Sequence, residues 1–182
     1  MTYYGGKDLA GAFRTVRNNT IEIAKEIPEE KFDFRASPDT RTIRETLVHI
    51  GIGTTFSNHV HRNHVSDTAT INFQELMAGI EAEQAKPRTK ADVIAFLQAD
   101  GDSFASYLDG LTDEFLAEDV KMPGGDPPVK TRFEMLMAVK EHEMHHRGQL
   151  MLMQRMMGLV PHLTRRRQEA MARWQATQPL KA

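Results

Sequence analysis

The stretch TRFEMLMAVKEHEMHHRGQLMLMQRMM, residues 131–157, decides how this chain folds. Thr131 and Glu134 have the spacing of a capping box, in which each side chain bonds the backbone N–H of the other residue at a helix start. Gly158 and Pro161 follow the stretch and are typical of a helix end. The pattern therefore predicts one long helix over 131–157.

His142 and His146 interrupt the apolar face of this helix. At ~100° per residue, one stripe roughly 100° wide collects eight residues: Met135, Ala138, Val139, His142, His146, Gln149, Met153 and Met156. Side chains four positions apart are neighbours on a helix, with β-carbons ~5–6 Å apart, so the two imidazoles can reach one metal ion. A pair of buried, hydrogen-bonded histidines is the alternative that this spacing leaves open.

Helical periodicity recurs in the rest of the chain, and no segment shows the sustained alternation of a β-strand. We predict an all-α fold, a four-helix bundle with an additional C-terminal helix, in one domain over 1–182 with a core of about 6–157. Residues 122–128 carry three prolines and two glycines, which predicts a loop or small hairpin that borders the site. The helices predicted besides 131–157 are 7–27, 42–64, 73–84, 89–111 and a tail helix of about 164–178.

The composition excludes several kinds of site. The chain has 182 residues and no cysteine, so it holds no disulfide, thiolate metal site, iron–sulfur cluster or cysteine nucleophile of its own. Any metal must rest on His, Asp or Glu. With 23 Lys and Arg against 25 Asp and Glu, the charge balance argues against a nucleic-acid-binding domain.

Targeting signals are also missing from the sequence. The N-terminus lacks the basic start and apolar core of a signal peptide, and no apolar stretch approaches the ~20 residues of a membrane-spanning helix. We therefore expect a soluble, cytoplasmic protein that does not bind a membrane. The only basic run, residues 165–167, is interpreted as a solvated helix face.

His49 is the leading candidate for a third ligand, because the helix face that it occupies is largely apolar beyond the first turn. Three protein ligands with positions left open are typical of a catalytic metal site. A hydrogen-bonded core histidine is the alternative at this position. The other histidines are interpreted differently: His59, His61 and His64 as a solvated cluster near a helix end, and His162 as a loop residue.

Residues 142–146 also match H-E-x-x-H, the signature of zinc peptidases in which the glutamate is the general base. On this hypothesis Glu143 would flank the two histidines. The extended form of the signature fails, because Gln149 and Leu152 stand where it requires Gly and His. A peptidase remains an alternative.

The motif His142-x-x-His145-His146-Arg147-Gly148-Gln149 resembles the signature of the DinB-like (DinB/YfiT) helical proteins. The likeness includes a capping segment before His49 and spans most of residues 6–157, whereas the tail from 164 departs from it. The resemblance implies a four-helix bundle that holds a divalent metal, often zinc or nickel, on His49, His142 and His146. It also implies a homodimer. Characterised relatives include thiol-dependent S-transferases and a maleylpyruvate isomerase that uses low-molecular-weight thiols.

The predicted site is compatible with three functions. The first is a transferase in which the metal activates a low-molecular-weight thiol for attack on a small-molecule substrate. The second is a hydrolase with metal-activated water and Glu143, Glu45 or His145 as proton carrier. The third is a non-catalytic, stress-related metal-binding bundle. Gln149 and Arg147 are candidates for contacts to substrate or to the second nitrogen of a ligand histidine.

Overall fold

The computed structural model describes residues 4–178. Its helices are α1 (Gly6–Glu26), α2 (Ile43–Ile52), α3 (Thr55–Arg62), α4 (Phe73–Gln84), α5 (Lys90–Asp109), α6 (Asp113–Ala117), α7 (Arg132–Met156) and α8 (His162–Ala176). Two short strands, β1 (Asp119–Lys121) and β2 (Val129–Thr131), lie between α6 and α7. Among the described residues, no helix is both long and apolar enough to cross a membrane.

Four helices form the bundle that the sequence predicts. Helices α5 and α7 each pack against both α1 and α2, so these four elements surround one interior. One end of the core contains Phe13, Phe104 and Leu136, and the other contains Leu47, Leu97 and Leu150, all almost fully buried. The predicted all-α bundle is thus confirmed.

Side-chain caps set the starts of three of these helices. Thr42, Thr89 and Thr131 each accept a hydrogen bond from the backbone N–H three residues later, and each is reciprocated by the acidic residue at that position. These capping boxes satisfy backbone donors that the first helical turn leaves free. They explain why the predicted helix starts lie within two residues of the observed ones.

The helix predicted over 42–64 is instead two helices, and this is a correction. Helix α2 ends at Ile52, and α3 begins at Thr55. The Thr54 hydroxyl donates to Asp100 Oδ1 at 2.6 Å, which fixes the connection against α5. A β-carbon at Gly51 would lie 2.3 Å from the Phe96 ring, so the glycine permits the close approach of α2 to α5.

The proline- and glycine-rich segment, residues 122–128, connects the two strands of a small hairpin. A hairpin was one of the two predicted alternatives. Strands β1 and β2 are antiparallel, with Asp119 opposite Thr131 and Lys121 opposite Val129. The Lys121 backbone N–H also donates to the Ser66 carbonyl at 2.9 Å, which ties the hairpin to the chain after α3. Helix α6, which precedes it, was not predicted.

The predicted tail helix is present as α8, but the interpretation of its first residue was wrong. His162, interpreted as a loop residue, is the first residue of α8 and only 3% exposed. Its Nε2 lies 3.1 Å from the side-chain oxygen of Asn19 in α1. Arg165 forms an ion pair with Glu26, so α8 is held to α1 at two points.

Candidate metal centre

Three histidines from two helices meet inside the bundle. The Nε2 atoms of His49 and His142 are 3.1 Å apart, and those of His142 and His146 are 3.2 Å apart. His146 is buried, and the other two are half-buried. Among the residues that the structure describes, this is the only group of three or more His, Asp or Glu side chains close enough to share a metal ion.

The local structure explains why these side chains converge. His142 and His146 lie one turn apart in the middle of α7, so their rings project from the same face. His49 lies in the last turn of α2, which packs against α7. Gly53 lets His142 fit there, because a β-carbon at position 53 would lie 3.0 Å from His142 Nδ1.

The spacing of the nitrogens fits a shared ion. Imidazole nitrogens bound ~2.0–2.1 Å from one ion at octahedral or tetrahedral angles lie about 2.8–3.4 Å from each other. Two other ring nitrogens lie within hydrogen-bond distance of His142 Nε2. His142 Nε2 carries at most one hydrogen, so it could donate to only one of them. A cation between the three lone pairs satisfies all of them. The donor set therefore suits a divalent metal.

Gln149 sets the tautomer of His146. Its side-chain oxygen lies 2.8 Å from His146 Nδ1, and since that oxygen can only accept, Nδ1 carries the hydrogen. His146 Nε2 is then the unprotonated nitrogen, and it is the one that faces His142. A hydrogen bond of this kind typically orients a metal-binding histidine. The predicted contact of Gln149 with a ligand nitrogen is present.

The electrostatics of the site favour neutral imidazoles. Burial is the largest cause that lowers the pKa of all three rings, and for His49 it lowers the pKa to about 4. The positive charge of Arg41 lowers the pKa of each ring further. At neutral pH the three histidines therefore have free lone pairs, which is the form that binds metal.

Glu143 lies elsewhere than the peptidase hypothesis requires. Its carboxylate accepts two hydrogen bonds from Arg17 Nε, at 3.0 and 3.2 Å, and it is 1% exposed. Burial raises the pKa of Glu143, and the Arg17 charge opposes that shift. Position 143 lies ~100° around α7 from His142, so its side chain contacts α1 instead of flanking the histidines.

The remaining predicted residues are placed as follows. Glu45 is exposed, and its carboxylate accepts from the Thr42 N–H at 2.7 Å as part of the α2 cap. His145 is exposed, and its Nε2 lies 3.1 Å from the Gln149 amide nitrogen, so one hydrogen bond separates it from the His146 contact. Arg147 is half-buried, and its side chain makes no hydrogen bond or ion pair to any residue in the range 4–178.

Three clefts border the histidine cluster. The smallest, of about 230 Å³, lies against His49, Met77 and Ile80, and two others border His146 and His142. One, which we call the Arg41 cleft, has a volume of about 600 Å³ and is bordered by Arg41, His146 and Gln149. The other, which we call the apolar cavity, has a volume of about 240 Å³ and is bordered by His142, Phe56, Met122, Met135 and Val139. Met122 belongs to the loop that was expected to border the site, and it does so.

Sequence reasoning missed two residues at these clefts. Arg41 precedes the α2 cap and has no periodic signal that would distinguish it from other exposed arginines. His61 was interpreted as solvated, which is wrong, because its side chain is completely buried and also borders the apolar cavity. Its position four residues after Ser57 on one face of α3 is the signal that could have indicated burial.

Comparison with known proteins identifies the family and the fold. A model of the DinB superfamily matches residues 12–150. The Bacillus subtilis protein YjoA is 25% identical over 150 residues, covering 82% of this chain and 89% of YjoA. The crystal structure of YjoA, described as a DinB-like protein, aligns with a TM-score of 0.62 at 21% identity, covering 82% of this chain and 92% of that one.

A second solved structure shares the fold. YfiT from Bacillus subtilis aligns with a TM-score of 0.65 at 13% identity, covering 87% of this chain and 91% of that chain. It is described as "a probable metal-dependent hydrolase with an unusual four-helix bundle topology". At such identities the structural likeness shows the common fold. Because the family model spans most of the bundle, from α1 to the histidine helix α7, this chain belongs to the DinB superfamily.

Proposed function

We propose that this protein binds one divalent metal ion on His49, His142 and His146 and uses it to activate a low-molecular-weight thiol for transfer to a small electrophile. The observation that carries the proposal is the placement of three Nε2 atoms with separations of 3.1 and 3.2 Å between neighbours, beside two clefts. Three protein ligands leave coordination positions open for a reactant.

The ligand set suits zinc or nickel, because imidazole nitrogens are good donors to both. When bound, such an ion acts as a Lewis acid that deprotonates a thiol at neutral pH and lowers the pKa of water. The protein contributes the orientation of the ligands. Gln149 holds the His146 ring, and Gly53 leaves room for the His142 ring.

The surroundings favour a thiol over water as the nucleophile. Water activation usually uses a protein base, and the carboxylates predicted for this role are engaged elsewhere, Glu143 with Arg17 and Glu45 in the α2 cap. A thiol bound to such an ion would lose its proton to solvent at neutral pH, so it needs no such base. Thiol transfer therefore depends less than hydrolysis on a carboxylate base at the site.

Arg41 supports an anionic cosubstrate. It is exposed in the Arg41 cleft, and within the described part of the chain its guanidinium forms no hydrogen bond or ion pair. An unpaired guanidinium beside the ligands can bind a carboxylate in a bidentate manner. We infer that the thiol carries a carboxylate, which Arg41 binds while the sulfur reaches the metal.

A metal-dependent hydrolase is the second candidate, and the structural likeness to YfiT favours it. In that reaction His145 would accept the proton from water, since it is linked to the site through Gln149. The same three ligands serve both reactions. A homodimer, suggested by the family resemblance, is compatible with either.

The first test is metal content by elemental mass spectrometry on the untagged protein. We expect about one zinc or nickel ion per chain, lost in His49→Ala, His142→Ala and His146→Ala and retained in the control His59→Ala. Absence of metal in the wild type, even after incubation with zinc or nickel, would overturn the proposal.

The second test separates the two reactions. The metal-loaded protein is assayed with glutathione and 1-chloro-2,4-dinitrobenzene for thiol transfer, and with 4-nitrophenyl acetate for hydrolysis. We expect transfer to be accelerated and to depend on His142. Acceleration of hydrolysis alone would favour the second candidate. Stoichiometric metal with neither reaction accelerated would contradict catalysis on these probes and favour a metal-binding bundle without substrate.

A further inference from the structure

The apolar cavity has the size and lining of a binding site for an organic group. Its volume is about 240 Å³, and Phe56, Met122, Met135 and Val139 contribute to its wall. An engineered apolar cavity of ~150 Å³ binds benzene, so this space accommodates a ring with a short substituent. His142 lies in the wall, which places such a group beside the histidine cluster.

Two buried polar atoms in this wall have no partner. Ser57 and His61 both border the cavity, and Ser57 Oγ and His61 Nε2 make no hydrogen bond to any of the described residues. Ser57 is 4% exposed and His61 is 0% exposed. Leaving a buried donor or acceptor unpaired is destabilising, so two such atoms one turn apart on α3 indicate a missing ligand.

The contact with Arg132 determines what His61 can offer. Arg132 Nη1 lies 3.3 Å from His61 Nδ1, and a guanidinium can only donate, so Nδ1 is the acceptor. The hydrogen of the neutral ring is then on Nε2, the unpartnered nitrogen. Burial and the Arg132 charge keep the ring neutral by lowering the pKa of His61 to about 4. His61 therefore presents a buried N–H donor.

The other polar groups at the cavity are donors as well. The Ser57 hydroxyl can donate, and Lys130, which also borders the cavity, is half-buried. Within residues 4–178 the Lys130 ammonium forms no hydrogen bond or ion pair, and its charge also lowers the pKa of the exposed Glu134 carboxyl. Three donors beside an apolar wall call for a ligand whose polar end only accepts. A carboxylate fits this requirement, because it has two acceptor oxygens and a charge opposite to that of Lys130.

We propose that the apolar cavity binds the second substrate as an aryl or branched-alkyl carboxylate, with the apolar group against Phe56, Met122 and Met135 and the carboxylate on His61, Ser57 and Lys130. This inference rests on the proposed function, because it names the groups by which the electrophile is bound. The carboxylate itself is not attacked: the bound molecule carries a separate electrophilic carbon, and its leaving group departs with the bonding electrons as the carbon–sulfur bond forms. The thiol enters through the Arg41 cleft beside His146, and the carboxylate compound lies beside His142. The two reactants then meet at the histidines from different sides.

The test is a binding measurement on the full-length protein with ¹³C-methyl-labelled methionine. The probes are phenylacetate, acetate and phenethylamine, which separate the ring, the carboxylate and the charge. We expect phenylacetate to shift the methyl resonances of Met122 and Met135 but not that of Met171, which lies on the exposed tail helix. Acetate and phenethylamine should bind at least about tenfold more weakly, because each lacks one of the two features.

Variants connect the binding to the named donors. We expect His61→Leu to weaken phenylacetate binding at least about tenfold, as for the loss of a hydrogen bond to a charged group, while the matched control His59→Leu does not. Ser57→Ala should weaken it less, and Ala138→Phe, which narrows the cavity, should abolish the Met135 shift. If His61→Leu fails to fold, the Ser57 and Ala138 variants decide the question.

The same titrations after treatment with EDTA distinguish this inference from the proposed metal function. Binding of phenylacetate that depends on His61 in the metal-free protein supports the cavity as a carboxylate site, whatever the metal measurements show. The inference is overturned if phenylacetate leaves the Met122 and Met135 resonances unmoved, or if phenethylamine binds equally well. Loss of the metal proposal alone would leave a carboxylate-binding bundle.

Discussion

Arg17 and Glu143 form a buried ion pair that joins α1 to the helix that carries two of the candidate ligands. Arg17 Nε lies 3.0 Å from Glu143 Oε2, and both side chains are 2% exposed. The same guanidinium donates to Asp100 at 2.9 Å and to the Leu97 carbonyl at 2.9 Å in α5. Arg17 Nη2 also donates to the Ile50 carbonyl of α2 at 3.5 Å, so all four helices of the bundle meet at this arginine. Its partner Glu143 is the residue after His142 in α7.

This pair predicts that Glu143 stabilises the fold and does not take part in metal binding. Glu143→Ala leaves part of the Arg17 charge uncompensated in the interior and should cost about 3–5 kcal/mol in the free energy of unfolding. The control Glu141→Ala, at an exposed position of the same helix, should change it by less than about 0.5 kcal/mol. Urea unfolding measures both.

The milder variant Glu143→Gln separates stability from chemistry. It keeps the shape and part of the hydrogen bonding, so the protein should fold and bind about one metal ion per chain, as the wild type is proposed to do. Loss of metal from a folded Glu143→Gln protein would show that the carboxylate acts on the ligands after all.

Gln149 should control metal affinity. Gln149→Leu removes the acceptor that orients His146 through Nδ1, and loss of such a contact typically lowers metal affinity ~10–100-fold. Competition with a chromogenic chelator measures the change. Arg147→Gln is the control on the same helix, because Arg147 contacts none of the three histidines, and its affinity should stay within about threefold of wild type. Equal effects of the two substitutions would refute this role of Gln149.

Gly53 should be needed for the position of the His142 ring. A β-carbon there would lie 3.0 Å from His142 Nδ1 and 3.1 Å from the Ile50 carbonyl oxygen, which is closer than ordinary contact. Overpacking costs ~1–3 kcal/mol, and we expect Gly53→Ala to lower metal affinity about tenfold.

Gly148→Ala is the matched substitution for Gly53→Ala. Position 148 lies within α7, and an added β-carbon there would have no other atom within 4 Å beyond the backbone of its own helix. Alanine at a helix interior is more stable than glycine by ~0.5–1 kcal/mol. Thermal unfolding should therefore show slight stabilisation, with metal affinity unchanged. A loss of metal affinity in Gly148→Ala would show that metal binding depends on a glycine in α7 instead of on Gly53.

The stability of the metal-free protein should fall as the pH falls from 6.5 to 4. The pKa of His61 is lowered from 6.5 to about 4 in the folded chain, so in this range the unfolded state binds more protons. The stabilisation is present above pH 6.5 and is lost as the pH approaches 4. The shift corresponds to about 3 kcal/mol.

His61→Gln isolates this contribution. The substitution removes the titrating ring and keeps an acceptor for Arg132, so the difference in unfolding free energy between wild type and variant should change by about 3 kcal/mol across this range. Urea unfolding in EDTA at several pH values measures it. The pKa of His49 is lowered as well, but this shift is the same in the wild type and the variant, so it cancels in their difference. Parallel curves would contradict the burial of a neutral His61.

The helices were largely predictable because their signals are local. Capping boxes at Thr42, Thr89 and Thr131 place the starts of α2, α5 and α7, and the periodic apolar residues of each segment indicate its length. The break between α2 and α3 was not predicted. It depends on Phe96 and His142, which occupy the space beside Gly51 and Gly53, and both contacts join residues far apart in sequence.

That His142 and His146 share a helix face follows from the sequence alone, because four residues are close to one turn of any α-helix. The sequence also placed Gln149 within reach of His146 for the same reason. Three other contacts could not be read from the sequence: His49 reaches these two histidines, Arg17 binds Glu143, and His61 is buried beside Arg132. Each of these contacts joins different helices, so it depends on how the bundle packs and not on the period of one helix.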